Sequence, residues 1–176
     1  MGKSKFLFIL LALAGACAFS LAAGPAGLSW DIVWNLRLPR TLAALAVGAG
    51  LGLAGALFQG VLKNPLSDPY ILGTSAGATA AAVFCFLGGI ERTSPLFFAA
   101  VFAGAFGATF LSYWLARLAG RLSDAALVLA GVAVSAFLSA LVMLTLTAAR
   151  ERAFSLFYFV LGGLYASEPG VLAASA

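Results

Sequence analysis

Long stretches without a charged residue alternate along this chain with short segments that carry charges, prolines and glycines. The uncharged stretches cover residues 6–30, 41–62, 69–90, 93–116 and 125–149. A helix that rises about 1.5 Å per residue needs about 20 residues to cross a hydrocarbon core of ~30 Å. Open strands cannot cross, because each unpaired backbone group in lipid would cost several kcal/mol. The pattern therefore predicts an all-α polytopic membrane protein.

About five transmembrane helices are predicted here, and the third differs from the others. Its N-terminal part, residues 73–79, is small and polar, and only residues 80–87 resemble a lipid-facing helix. Such a helix is expected to be short or re-entrant, because irregular backbone at membrane depth must lie beside protein or a water-filled path. An apolar segment after the fifth span is too short to cross and predicts a half-helix. The predicted spans are 6–23, 41–62, 71–88, 95–116 and 125–147, and the half-helix is 153–165.

The first span is open to two interpretations. Lys3 and Lys5 precede it and small residues lie near its end at 20–23, as in a cleaved signal peptide. The apolar run is longer than a usual signal core, so we favour a retained helix. The later topology is the same in both cases.

Composition narrows the function classes. The chain is 63% hydrophobic and 9% charged, whereas soluble domains are about 25% charged. Its net charge of +4 does not indicate nucleic acid binding, because the basic residues are scattered over the loops. Cys17 and Cys85 lie inside apolar spans and the chain has no histidine, so no disulfide, metal site or cofactor is expected. The lack of a catalytic cluster argues against an enzyme.

Small residues recur at every fourth position of the second span, at Gly48, Gly52, Ala56 and Gly60. Glycine and alanine at this spacing let another helix approach closely, which favours helix association in lipid. We therefore interpret this row, the small-residue stripe, as a packing surface. Gln59 is strongly polar and should face protein or water rather than lipid.

A proline-rich turn, residues 64–69, follows the second span with the sequence NPLSDP. Each proline fixes its own φ and disfavours helix for the residue before it, so Asn64 and Asp68 are held extended. The third helix then begins with Gly, Ser and Thr residues. Interrupted helices commonly mark transport routes. Asn64, Pro65, Ser75 and Gly77, together with Gln59 before the turn, are accordingly candidate inner-gate or pathway residues.

Four motifs together carry a family resemblance. They are RLPR at 37–40, GLAGALFQ at 52–59, NPLSDP at 64–69 and LGTSAGA at 72–78, and LVLAGVAVS at 127–135 and YFVLGGL at 158–164 support them. In this order they resemble the membrane subunit of FecCD-type ABC importers, the permeases for iron–siderophores, haem and vitamin B12. The resemblance covers nearly the whole chain from Trp30 onward.

The resemblance also implies further permease segments and partner subunits. Such permeases have ten spans and about twice this length, so residues 1–176 resemble the N-terminal part of a single permease domain. They work as homodimers or paired homologues, with two cytoplasmic ATPase subunits. A periplasmic or lipid-anchored binding protein delivers the ligand. The segment that meets the ATPase would lie in the other half.

Site residues follow from the resemblance position by position. Arg37, and with it Arg40, matches the place where the family offers basic residues to a binding protein. Asn64 and its turn match the cytoplasmic end of the pathway, near an inner gate. Ser123 and Asp124 match the loop that borders this gate, although an acidic residue there departs from the family pattern.

The energy source and orientation remain as expectations. Proton-coupled transporters normally carry an Asp, Glu or His in mid-membrane, and the uncharged spans have none of these, so ATP hydrolysis in a partner is expected. A secondary transporter or channel subunit is the alternative.

Basic residues show no excess on either side of the membrane. The expectation that the N-terminus lies in the cytoplasm, in the bacterial inner membrane, therefore depends on the N-terminal lysines and the resemblance. The pattern does not identify which metal chelate or corrinoid is the ligand.

Overall fold

A computed structural model of the chain describes residues 2–24, 27–120, 123–149, 157, 160 and 161. The described residues form helices and no strands, which confirms the all-α class. In the described part of the chain, four helices are long and apolar enough to cross a membrane, and the third in chain order is shorter. The helices are α1 (Lys3–Ala22), α2 (Trp30–Val61), α3 (Thr74–Leu87), α4 (Pro95–Leu118) and α5 (Asp124–Ala148). Most of the half-helix predicted at 153–165 lies outside the described residues.

Helix α2 begins well before the uncharged segment 41–62. It starts at Trp30, where the Ser29 side chain accepts a hydrogen bond from the amide of Ile32, and it includes a π-helical turn at Val33–Arg37. An uncharged segment indicates only the part of a helix that can lie in the hydrocarbon core, not the full length of the helix. A helix can extend beyond that part, because its backbone bonds do not depend on lipid.

Serine caps begin the two long helices that follow α3. Ser94 accepts a hydrogen bond from the amide of Leu96, and Pro95 occupies the first helical position. Ser123 accepts from the amide of Ala126 at 3.2 Å. Serine is favoured at the N-cap because its oxygen satisfies an amide that lacks an intrahelical partner, and proline is favoured at the next position because it lacks an amide hydrogen.

The described residues divide into two compact units. One lies within residues 2–49, and the other lies within residues 50–161. In the first unit, the Oγ of Ser20 on α1 lies 3.0 Å from the Oγ1 of Thr41 on α2. This hydroxyl pair joins the two helices.

In the second unit α3, α4 and α5 pack against one another. One core cluster joins α3 to α5 through Ala80, Val83, Val142 and Leu146. A second joins α3 to the start of α4 through Ala82, Cys85 and Phe97. Helix α3 therefore buries two faces, one against each neighbour, whereas α4 leaves Phe102, Phe106 and Phe110 exposed on a single face. Such an apolar face suits lipid or another membrane helix.

The α3–α4 crossing depends on two glycines. A Cβ on Gly104 would lie 2.5 Å from the Cβ of Ala81 and 2.6 Å from the carbonyl oxygen of Gly77. A Cβ on Gly77 would overlap the carbonyl oxygen of Gly104. The two backbones touch here because neither residue has a side chain.

We expect Gly104→Ala to lower the free energy of unfolding by about 1–3 kcal/mol, because the added methyl group must push α3 away. Gly107→Ala is the matched control on the same helix, since a Cβ at Gly107 would meet nothing within 4 Å. It should be neutral or stabilising by up to about 1 kcal/mol. Thermal unfolding of the two variants in detergent micelles measures the difference. Equal effects would contradict the close crossing.

Candidate functional site

The connector between α2 and α3, residues 62–73, is held by its own side chains. Asn64 Oδ1 accepts a hydrogen bond from the amide of Leu66 at 2.9 Å, and Asp68 Oδ1 accepts from the amide of Tyr70 at 2.7 Å. The proline that follows each of these residues fixes its own φ at roughly −65°. Two such Asx turns in succession make the connector stiff.

The end of the connector enters the helix bundle. The Oγ of Ser112 on α4 lies 2.9 Å from the carbonyl oxygen of Leu72 and 3.0 Å from that of Ala108 in its own helix, so the two carbonyls share its one hydrogen. On the α5 side, a Cβ on Gly131 would overlap the carbonyl oxygen of Ile71. Ser112 lies six residues before the end of α4 and Gly131 seven after the start of α5, which places Leu72 about 10 Å inside these helix ends.

This depth explains why α3 is short. Its 14 residues extend about 21 Å, which is less than a hydrocarbon core of ~30 Å. The stretch of connector inside the bundle supplies about the missing 10 Å. Irregular backbone is tolerated at this depth because α4 and α5 contact it on two sides and Ser112 donates to a carbonyl. The connector and α3 together are therefore long enough for a third crossing.

We expect Ser112→Ala to destabilise the protein by about 1–3 kcal/mol, because the Leu72 carbonyl loses its partner in a buried place. Thr109→Ala is the control, since its Oγ1 bonds only to Ala105 in its own helix and its loss should cost much less. Unfolding in mixed micelles at increasing SDS measures both variants. A Ser112→Ala protein as stable as the control would show that the connector does not depend on this bond.

A cavity of about 450 Å³ lies between α3 and α5. Among the described residues, hydroxyl groups line one part of its wall and apolar side chains line the rest, and none of these lining residues is charged. The lining residues are Tyr70, Ser75, Ala76, Thr79, Ser135, Ser139, Val142, Met143, Leu146, Phe157 and Val160. Its chemistry is that of a weakly polar, uncharged surface, which can contact a solute without binding an ion tightly.

The hydroxyls of the cavity occur in pairs four residues apart. Ser75 and Thr79 share one face of α3, and Ser135 and Ser139 share one face of α5. Sequence reasoning identified Ser75 but missed the other three. Their spacing is visible in the sequence, but the pairing of α3 with α5 is not, because it joins segments about 60 residues apart in the chain.

The remaining predicted pathway residues lie elsewhere. Gly77 is buried at the α3–α4 crossing and does not line the cavity. Gln59 near the end of α2, and Asn64 and Pro65 in the connector, are exposed. Ser123 and Asp124 are exposed at the start of α5, where Ser123 is the N-cap. Asn64 thus stiffens the connector, and its gating role stays a prediction.

The small-residue stripe faces no helix in the described part of the chain. Gly48, Gly52, Ala56 and Gly60 are exposed, and a Cβ on any of these three glycines would meet nothing within 4 Å. Plain helix packing was the interpretation from sequence. The stripe keeps the shape for a close helix contact but has no partner here.

The two arginines of the RLPR motif differ in their surroundings. Arg40 is exposed, whereas Arg37 is only 9% exposed. The Arg37 guanidinium donates to the carbonyl oxygens of Leu21, Ala22 and Gly27. Docking of a binding protein at these two residues stays a prediction, and only Arg40 presents its charge at the surface.

Comparisons with known proteins agree on one family. A sequence model of the FecCD transport family matches residues 5–174. The chain is 40% identical over 148 residues to the vitamin B12 import system permease protein BtuC of Serratia proteamaculans, with 78% of this chain and 44% of the relative covered. It is 44% identical over 116 residues to the ferric enterobactin transport system permease protein FepD of Escherichia coli, with 62% and 33% covered.

A solved structure shows a similar fold. It is described as an inward-facing conformation of a metal-chelate type ABC transporter, and it aligns with a TM-score of 0.75 and 29% sequence identity. The alignment covers 97% of this chain and 57% of that chain. This chain spans less than half the length of the two curated relatives above.

Proposed function

The chain belongs to the FecCD transport family, and on that basis we propose that residues 1–176 form the N-terminal part of a single permease domain in a binding-protein-dependent ABC importer. The observation that supports this proposal most directly is the family match, which extends over nearly the whole chain. Four helices able to cross a membrane fit a multi-pass permease. We place the protein in the bacterial inner membrane with its N-terminus in the cytoplasm.

The motor lies in other subunits under this proposal. The uncharged spans contain no ionisable residue that could relay protons. Two cytoplasmic ATPase subunits would supply energy, and the permease itself would not be an enzyme. A second permease subunit, identical or homologous, would complete the pathway. Among the described residues, the unpartnered small-residue stripe is suited to a helix from the remainder of a family-length permease.

The translocated ligand is proposed to be an iron–siderophore, haem or vitamin B12-like compound. Two relatives are named for vitamin B12 and ferric enterobactin, and a third for ferric dicitrate. These ligands are large metal chelates or corrinoids. The described part of the cavity wall consists of hydroxyls and uncharged apolar side chains, which suit the passage of such a compound because they offer only weak contacts.

We assign the pathway to the cavity between α3 and α5 and the inner gate to the connector. Ser75 and Thr79 face Ser135 and Ser139 across the cavity. The stiff turn at Asn64 leads directly into α3, so a movement of the connector would move one wall of the cavity. Ser123 and Asp124 begin α5, which forms the opposite wall.

We expect the full-length protein to copurify with an ATPase whose rate rises when the binding protein is added. The physical reason is that delivery of the ligand is coupled to the motor through the permease. Reconstitution into liposomes with the ATPase, binding protein and labelled ferric siderophore or cobalamin tests this. Uptake that proceeds without ATP but follows a proton or sodium gradient would support a secondary transporter instead.

We expect Ser139→Leu to abolish most uptake while the protein still assembles, because the larger apolar side chain narrows the cavity and removes a hydroxyl. Ala140→Leu is the matched control, since Ala140 is the next residue of α5, is exposed and does not line the cavity. Uptake into the same liposomes, with ATPase activity measured in parallel, compares them. Equal uptake by both variants would remove the cavity from the pathway.

A further inference from the structure

We propose that Arg37 is a positioning residue that ties the end of α1 to the beginning of α2 and thereby shapes the connection between them, of which residues 23, 24 and 27–29 are described. We call this arrangement the Arg37 latch. The functional part of the inference depends on the proposed importer, because the connection would lie on the outer face where a binding protein docks. The latch itself depends only on contacts within the first unit.

The latch consists of one guanidinium and three carbonyl oxygens. Nη1 of Arg37 donates to Leu21 and Ala22, at 2.9 Å in each case, and Nη2 donates to Gly27. Leu21 and Ala22 are the last two residues of α1, whose carbonyls lack partners within the helix. A cation at a helix C-terminus is also favoured by the helix dipole. Arg37 therefore caps α1 from a different helix.

The beginning of α2 is built to hold Arg37 in this place. Arg37 ends the π-helical turn at Val33–Arg37, and a π turn shifts the direction of the side chains that follow it. The Oγ1 of Thr41 donates to the Arg37 carbonyl at 2.8 Å and lies 3.0 Å from the Oγ of Ser20. The Arg37 side chain thus bonds α1 directly, and its backbone carbonyl is linked to α1 through Thr41 and Ser20.

Gly24 leaves the space that the guanidinium occupies. A Cβ on Gly24 would lie 2.8 Å from Nη2 and 3.2 Å from Cζ of Arg37. Gly24 is not among the glycines with positive φ, so its backbone accepts other residues. A larger residue here would expel the guanidinium without removing its charge.

Arg40 provides the contrast within the same motif. It carries the same charge three residues later and is exposed. A direct docking contact needs a guanidinium that is free to meet an acidic partner, and that of Arg37 would first have to leave three carbonyls. We therefore assign direct contact to Arg40 and preorganisation to Arg37. A connection that is already ordered loses less entropy when a partner binds.

Hydrogen–deuterium exchange of residues 20–29 tests the latch in the full permease complex in lipid nanodiscs. Arg37→Gln, Arg37→Lys and Gly24→Val should each exchange about tenfold faster than the wild type, because they lose hydrogen bonds to a charged group. Arg37→Lys should not restore the slow exchange of the wild type, because lysine lacks the planar guanidinium that can bond several oxygens at once. Arg40→Gln, which removes the same charge, should exchange like the wild type.

Affinity for the ligand-free cognate binding protein, measured at increasing salt in the same nanodiscs, tests the assignment of roles. Arg40→Gln should weaken binding and flatten its salt dependence, because a rim charge is lost. Arg37→Lys and Gly24→Val should weaken binding but keep the salt dependence, because their charge remains. Gly24→Val and Arg37→Lys carry the test if Arg37→Gln does not accumulate in the membrane.

Two outcomes would overturn the proposal. One is wild-type exchange in both Arg37→Lys and Gly24→Val, which would show that the latch does not hold the connection. The other is wild-type docking by Gly24→Val together with lost docking in Arg37→Gln, which would make Arg37 a direct contact. A wild-type complex that binds no binding protein would contradict the proposed importer, whereas the exchange measurement would still decide the latch.

Discussion

Backbone groups that leave helical geometry inside a membrane must find partners without water, and this chain meets that constraint at the connector between α2 and α3. Leu72 lies about 10 Å inside the ends of α4 and α5, where Ser112 donates to its carbonyl and Gly131 leaves room for Ile71. Helix α3 can begin only where the connector ends. Its short length, its contacts with both neighbours and the cavity on its α5 side all follow from this arrangement.

The first unit meets a related constraint with a charge instead of a hydroxyl. The carbonyls of Leu21 and Ala22 at the end of α1 are bonded by the Arg37 guanidinium, and Gly24 leaves the space for it. In each unit a side-chain donor acts together with a glycine that leaves space. In the first unit Gly24 leaves space for the Arg37 guanidinium, and in the second Gly131 leaves space for the backbone next to the carbonyl that Ser112 bonds. Ser112 and Arg37 thus each have identifiable structural partners on another segment of the chain.

Part of this arrangement was predictable. Uncharged stretches predicted the all-α class, because crossing lipid requires length and apolarity. The small, polar residues 73–79 predicted a short third helix. The start of α2 was not predicted, since a helix extends beyond its uncharged part to Trp30. Ser75 was identified at the cavity, but Thr79, Ser135 and Ser139 were missed because helix pairing is not visible in a single sequence. Gly77, assigned to the pathway from its polar neighbours, lies at the α3–α4 crossing.

The sequence by itself determined which segments can lie in lipid, where the chain must turn and which family it resembles, because these properties depend on local composition and on ordered motifs. Only the tertiary structure decided which side chains meet. It separated buried Arg37 from exposed Arg40 and placed Ser112 on Leu72. It also left the small-residue stripe without a partner among the described residues. The physical reason is that contacts between helices depend on depth and rotation, which are set by close packing between segments distant in the chain.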